Sequence, residues 1–432
     1  MKFFKSIFLM LLLPLAAISA QQMLTLKESI NTVLKENLNI RIANNNNILA
    51  ENNINIGNAN FLPRIDFSAS SNYNDNMINL KGNKSYSAFT NNSIGLRASY
   101  TLFDGLSNYA KFRRLKLSGN LSNYETRAIT ENIVLQTIKL FYDIANLQDK
   151  IKTAEESLEI SRERLERQKN KLEFGQSGNI DYLSAVVDFN RDSLTFITVR
   201  NTLLQAKQNF NKLLNRPINT KFKVDSNVKF EILPDIEELK DIAFENNAEY
   251  NSAMERINIS KEEVNISRAG FLPSLSLESS YGYNTSANEF NVNFDNPNRN
   301  FFAGLNLMYN IFNGFRNDIQ LQNSKIQLEN TELSEKNEKL ALINSIANIY
   351  QLYEVNKTAL ELEQSSLQTA QLNFEKTKDL YNFGKVTLTQ FRVAQLNLIN
   401  SKNKISELKY SIKKNEAELK QLAGILLNNI SD

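Results

Sequence analysis

The chain has 432 residues, with 50 Lys and Arg against 47 Asp and Glu and neither Cys nor His. The near-neutral balance offers nucleic acid no electrostatic footprint, and the lack of Cys excludes a disulfide framework and a lipid-bearing N-terminal Cys. With the commonest metal ligand and general base missing, and no Gly-rich phosphate loop, the composition speaks against an enzyme and implies no cofactor or metal site.

The first residues read MKFFKSIFLMLLLPLAAISAQQ. Lys2 and Lys5 precede an apolar run lasting to about Ala17, and small residues follow, which is the pattern of a secretory signal peptide over 1–20. Cleavage is expected after Ala20 or, with Ala17 at the −3 position, after Ser19. The segment is too short to span a membrane as a helix, and no later stretch approaches ~18 uninterrupted apolar residues.

A helical segment is predicted over Thr25–Asn58. It is followed by NFLPRIDFSASSNYN (60–74), a phrase that returns as GFLPSLSLESSYGYN (270–284) about half the chain later. The neighbourhood repeats as well. SIGLRASYTLFDGLSN (93–108) falls on FAGLNLMYNIFNGFRN (302–317), and LEFGQSGNIDYLSA (172–185) falls on YNFGKVTLTQFRVA (381–394). LKENLNI, before the first phrase, lies over AFENNAEY. The chain is therefore a tandem duplication, read as a first repeat over 21–220, a short linker over 221–234, a second repeat over 235–425 and a tail over 426–432.

Within each repeat, strands follow the leading helix. Ile65, Phe67, Ala69 and Tyr73 share one face of Arg64–Tyr73, and Ile94, Leu96, Ala98, Tyr100 and Leu102 share one face of Ser93–Phe103. In the second repeat Leu275, Leu277, Tyr281 and Tyr283 continue the alternation, followed by Phe301, Ala303, Leu305, Leu307, Tyr309 and Ile311. Runs of about ten residues, apolar on one face and polar on the other, fit membrane-barrel strands. A half-buried strand of a soluble sandwich gives the same alternation. The signal peptide, the aromatic strand ends and the scarcity of other strands favour the membrane. Asn-rich loops are expected over Asp75–Asn92 and Thr285–Asn300.

A very long helix comes next, over Leu106–Leu172 and Phe315–Tyr381, roughly 100 Å at ~1.5 Å per residue. Ile144, Leu147, Ile151, Ala154, Leu158, Ser161, Leu165, Gln168 and Leu172 step by three and four, forming a coiled-coil seam; Leu360, Leu367, Ala370, Phe374 and Tyr381 are its counterparts. A Gly-containing turn leads to a returning helix over Ile180–Leu214 or Leu388–Leu422. Four strands cannot close a barrel alone, and an open edge is not tolerated in lipid. If they span a membrane, copies must share one barrel, eight strands for two copies and twelve for three. A secreted or surface-anchored coiled-coil adhesin or stalk without a channel is the alternative.

The duplicated Phe-Leu-Pro entries, the Leu-Phe-Asp-Gly and Ile-Phe-Asn-Gly joints, the Phe-Gly tips and LLNRP after the first returning helix together resemble the TolC-like outer-membrane efflux proteins over essentially the whole mature chain. That resemblance implies a mixed α/β membrane protein. It would be a homotrimer whose shared β-barrel, four strands per chain, sits in outer-membrane lipid and continues into a long antiparallel α-helical coiled-coil tunnel across the periplasm. It implies a passive exit duct of a tripartite efflux pump or type I secretion system, partnered by a periplasmic adaptor (membrane fusion) protein and an inner-membrane RND- or ABC-type transporter.

Under that resemblance the hairpin tips carry function. Gly175, Gly178, Gly384 and Leu388 are candidates for adaptor docking, though the tip glycines serve equally as turn residues. Asp181 either contributes to a ring of carboxylates at the entrance or is a helix-start residue favoured by the macrodipole. Relatives carry entrance aspartates at positions matching Gln390 and Val393, both uncharged here. Tyr381 matches a tyrosine associated with a closed entrance, and it also fits simple seam packing. Arg97 and Glu278 are placed in the barrel interior or at strand ends.

Overall fold

The computed structural model describes residues 22–80, 83–175, 178–288, 290 and 292–428. The expected signal peptide lies outside these residues, as does the end of the expected tail. A short strand, β1 (Gln22–Leu24), precedes helices α1 (Leu26–Glu36) and α2 (Leu38–Asn53) and strands β2 (Arg64–Leu80) and β3 (Asn83–Asp104). The long helix α3 (Ser107–Glu173) and its return α4 (Asn179–Leu213) follow. After strand β4 (Phe222–Val224) the series recurs as α5 (Ile236–Asn246), α6 (Ala248–Ala269), β5 (Ser274–Ala287), β6 (Asn298–Met308), α7 (Arg316–Asn382) and α8 (Leu388–Leu422). Both long helices have 67 residues.

The sequence predicts one leading helix per repeat; the structure divides each in two and ends the first at Asn53 rather than Asn58. The cause is an asparagine in extended conformation. Asn37 Oδ1 accepts from the backbone N–H groups of Asn39 (2.9 Å) and Ile40 (3.3 Å), capping α2, while its Nδ2 donates to the Leu213 carbonyl at the end of α4 (2.9 Å). Asn247 repeats the device: its Oδ1 accepts from the Tyr250 N–H (2.8 Å) and its Nδ2 donates to the Leu422 carbonyl (2.9 Å). Each side chain thus satisfies donors at one helix start and an acceptor at another helix end. The result sets α4 and α2 end to end along α3, and α8 and α6 end to end along α7.

The four long strands form one antiparallel sheet in the order β2-β3-β5-β6. Its register puts Phe67 opposite Leu96, Leu96 opposite Tyr281 and Tyr281 opposite Phe301. The apolar faces predicted from alternation coincide over most of the sheet, and they are bare: Phe67 is 67 % and Phe301 71 % exposed. A register shift between Thr101 and Phe103 puts Phe103 rather than the expected Leu102 opposite Leu275, and the expected Tyr309 and Ile311 lie beyond the end of β6 at Met308. The expected loop over Asp75–Asn92 is a correction. The β2–β3 ladder continues through it, with Met77 opposite Tyr86, to Leu80 opposite Asn83. Asn-rich composition suggested a loop, but cross-strand backbone pairing satisfies these residues in a ribbon reaching past the end of β5. The second expected loop shortens to residues 288–297.

Midway along the helices, β1 pairs in parallel with β4. Leu24, Phe222 and Val224 pack there against Ile30, Val33, Phe141, Phe210 and Tyr410, and Leu426 of the expected tail is buried among them. Across the chain the helices stand in the order α4-α3-α8-α7 on the tip side of this belt and α2-α3-α6-α7 on the sheet side. Each side ends in an uncovered apolar stripe. Ile319, Ile326, Leu333 and Leu340 recur every seven residues on α7 and are 49–66 % exposed. On the opposite side Ile42 and Leu49 of α2, and Leu183, Val187, Leu194, Ile197 and Leu204 of α4, are exposed. Among the described residues no helix is long and apolar enough to cross a membrane.

Candidate functional site

Each long helix ends in Phe-Gly. Gly384 has φ +71°, donates from its N–H to the Tyr381 carbonyl (3.0 Å), and is followed by Lys385 donating to the Leu380 carbonyl (2.8 Å). That pair of bonds closes a helix through a left-handed residue, the conformation glycine adopts without strain. Gly175 (φ +68°) makes the matching bond to Leu172. Gly178 differs: it is the N-cap of α4 with φ −73°, so its backbone does not require glycine. Among the described residues no atom beyond the immediate chain neighbours lies within 4 Å of a Cβ placed at any of these three glycines, so the tips are open.

On the second tip, Thr387 and Gln390 form a reciprocal capping box in which Gln390 Oε1 accepts from the Thr387 N–H (2.9 Å). Gln390 is thereby tied to the start of α8 while remaining exposed, and Asp181 is exposed in the first turn of α4. Leu388 and Tyr381 turn inward and join Phe374, Phe391, Ala394 and Leu398 in a small core. The Tyr381 ring stacks on Phe391 (centroids 4.8 Å, planes 5° apart). Its hydroxyl accepts from Gln168 Nε2 on α3 (2.5 Å), and the Arg167 guanidinium lies 5.7 Å from its ring. Burial raises the Tyr381 pKa. Tyr381 thus joins the two helical hairpins.

A cluster that the sequence reading missed lies further up from the tips, between α3, α4 and α8. Arg392 NH1 and NH2 donate to the two carboxylate oxygens of Asp192, both at 2.7 Å. Ser157 donates to Asp192 as well (3.2 Å), and so does Ser161. Arg164 NH2 donates to Asp188 (3.0 Å) and its NH1 to Gln395 Oε1 (3.3 Å), while Gln395 Nε2 donates back to Ser157 Oγ (3.1 Å). The Arg392 and Asp192 side chains are each 8 % exposed. Burial works to raise the Asp192 pKa, but the bonds from Arg392 and Ser161 outweigh it and hold the carboxyl below its ordinary value. For Arg164 burial wins and lowers the pKa despite Asp188. The available signal was the pair of polar residues in the seam, Ser161 and Gln168, with Ser157 and Arg164, one residue before Leu158 and Leu165, taking the buried positions in those turns; buried polar groups need partners.

Arg97 and Glu278 sit at the far end of the molecule, on the polar face of the sheet. Arg97 stands opposite Asp66 on one side and Ser280 on the other, and Glu278 lies between Ser99 and Gly304. At ~1.5 Å per helical residue, roughly 100 Å separates them from the tips.

The order of elements and the paired tips match known proteins. The family model described as "Outer membrane efflux protein" matches residues 29–216 and again 239–425. The chain belongs to this family. Two curated relatives are "Alkaline protease secretion protein AprF" of Pseudomonas aeruginosa, 20 % identical over 86 % of this chain and 78 % of the relative, and "Outer membrane protein TolC" of Vibrio cholerae, 19 % identical over 77 % of each. Among solved structures, the CmeC outer membrane channel of Campylobacter jejuni superposes with a TM-score of 0.82 at 19 % identity, covering 93 % of this chain and 86 % of that one. The open state of the MtrE channel of Neisseria gonorrhoeae gives 0.75 at 18 % identity, covering 93 % and 89 %. This efflux protein is an outer-membrane exit duct reaching into the periplasm.

Proposed function

We propose that three copies of this efflux protein close into one duct, each contributing four strands to a twelve-stranded barrel and four helical columns to the tunnel. The observation that carries this reading is the pair of uncovered sides. One side of the protomer ends in β6 and the α7 stripe; the other ends in β2 and the stripes of α2 and α4. The two sides differ, so they suit head-to-tail contacts that close into a ring, and the sheet edges in lipid must pair. In such a ring the polar face bearing Arg97 and Glu278 lines the barrel interior and the apolar face meets lipid. At the other end, Asp181 and Gln390 are exposed at the entrance, and Tyr381, buried in the joint behind them, holds its wall. Gly175, Gly178 and Gly384 form the surface on which a periplasmic adaptor seats, with the expected Leu388 buried beneath it as core rather than contact, and the adaptor joins the duct to an inner-membrane RND- or ABC-type transporter.

The joint between the α3/α4 and α7/α8 hairpins would then set the entrance width. The Asp192–Arg392–Arg164 cluster pins the hairpins above the tips, and the Tyr381–Gln168 contact joins them at the tips. Light scattering of the detergent-extracted protein, with detergent mass subtracted, tests the ring. Three chains of a little under 49.4 kDa support it; a stable monomer leaves the strands unable to close and refutes it.

A further inference from the structure

The described residues between β5 and β6 (288, 290 and 292–297) do not hang free. The Asn293 carbonyl accepts from Asn92 Nδ2 (3.0 Å) and from the Thr285 hydroxyl (3.4 Å), and the Phe290 ring meets the Tyr73 ring edge-on at 5.8 Å. Ser71 donates to Asn92 Oδ1 (2.6 Å). Ser71, Tyr73, Asn92 and Thr285 all belong, by register, to the same face as Ile94, Leu96 and Tyr281. The segment is therefore a strap lying over the distal end of the sheet's apolar face. Beneath it Thr90, Asn92 and Thr285 are 0–5 % exposed, while Phe290, Val292 and Phe294 are exposed.

The height of the strap is telling. From Phe103 to Ile94, β3 climbs roughly 23 Å at ~3.4 Å per residue and ~40° tilt, close to the ~25 Å apolar band of a membrane barrel. The polar group of Ser71, Asn92 and Thr285 begins one strand pair beyond Ile94. Facing water, these side chains would need no cover. At the boundary between acyl chains and headgroups they would be poorly solvated, and the strap satisfies them while presenting apolar side chains outward. Strap residues 288–297 contain no Lys or Arg, and Glu289 and Asp295 flank the Phe-x-Val-x-Phe alternation without interrupting it. Aromatic side chains are favoured at that depth.

We propose that Phe290 and residues 292–297 are an interfacial anchor, inserting Phe290, Val292 and Phe294 into the headgroup–acyl boundary of the outer leaflet. The proposal rests on the reading of the sheet as a membrane-spanning wall. The chain contains no Trp, so single substitutions give unambiguous fluorescence. Four single-Trp chains, Phe290→Trp, Phe294→Trp, Leu96→Trp and Met77→Trp, would be assembled into phosphatidylcholine vesicles brominated at defined acyl positions. Far-ultraviolet circular dichroism checks that each keeps its helices. The anchor predicts that Trp at 290 and 294 emits to the blue of Trp at 77, is quenched most by bromines nearest the headgroup, and is at least about threefold less accessible to aqueous iodide. Iodide accessibility and emission equal to those at position 77 would overturn the anchor while Leu96→Trp, quenched by deeper bromines, leaves the membrane wall standing. A Leu96→Trp chain that no brominated lipid quenches overturns the wall and the anchor together.

Discussion

Replacing Arg392 with Met tests whether the buried cluster pins the two hairpins. The side chains are similar in length, so packing volume changes little, but Asp192 loses both 2.7 Å charge-assisted bonds and keeps only the hydroxyls of Ser157 and Ser161. Arg164 cannot stand in, since its guanidinium is engaged with Asp188 and Gln395. Stranding one member of a buried pair costs about 3–5 kcal/mol, here a loss of docking between α8 and α3/α4. Helices of this length open in parts, so the global melt is the wrong assay. Amide hydrogen exchange along α8 is the right one. Protection over residues 391–400 should fall by roughly a few hundred- to a few thousand-fold, while residues 408–419, buried in the equatorial belt, should keep theirs. Asp192→Leu combined with Arg392→Met removes both charges and should restore most of the protection, because apolar replacement of a buried pair is often neutral or stabilising. Unchanged exchange in the single variant, or a double variant as labile as the single, would refute the ionic account.

The same cluster should respond to acid. Asp192 titrates below the ordinary aspartate value of ~3.9, so its stabilisation is complete above about pH 4 and is lost as pH falls through the lower native value; exchange along α8 should rise only below about pH 4. Asn37→Ala and Asn247→Ala each remove a helix cap and a bond to a second helix end, and each should cost about 2 kcal/mol in denaturant unfolding of the assembled protein; a neutral result for either would show that backbone alone holds the break. Gly384→Ala forces a Cβ into φ +71° and should cost about 1 kcal/mol, whereas Gly178→Ser adds a capping hydroxyl at φ −73° and should be neutral or stabilising by a few tenths of a kcal/mol. Leu305→Arg, on the apolar face opposite Leu277, should lower folded yield in lipid by about 2–4 kcal/mol, while Asn306→Arg on the other face should be tolerated. Equal effects at 305 and 306 would reverse or abolish the assignment of faces.

Periodicity made the long elements legible, and it failed where one side chain's role is defined by a residue far away in sequence. The seam through Ile144, Ala154 and Ser161 and the strand faces through Phe67 and Leu96 repeat with the period of their own element, so local pattern sufficed. Asn37 and Asn247 are different. An asparagine inside a helical pattern is ambiguous until Leu213 or Leu422 brings a carbonyl to its Nδ2, even though the repeat had already placed the two Glu-Asn segments over each other. Nothing local marks Asp188 and Asp192, four residues apart on α4, as buried, because Arg392, which binds Asp192, belongs to the other repeat. The seam itself carried the clue, since it turns polar at Ser161 and Gln168 where a stalk would stay apolar. An apolar seam along a 67-residue helix such as α3, packed against α4 and α8, has near-equivalent packings one turn apart. A buried bidentate pair matches in only one of them, the role best attested for buried charge in coiled coils. The cluster therefore specifies how the α7/α8 hairpin is set against α3/α4 more than it adds stability. Where, as proposed, the entrance width follows from that setting, this is the property the position requires.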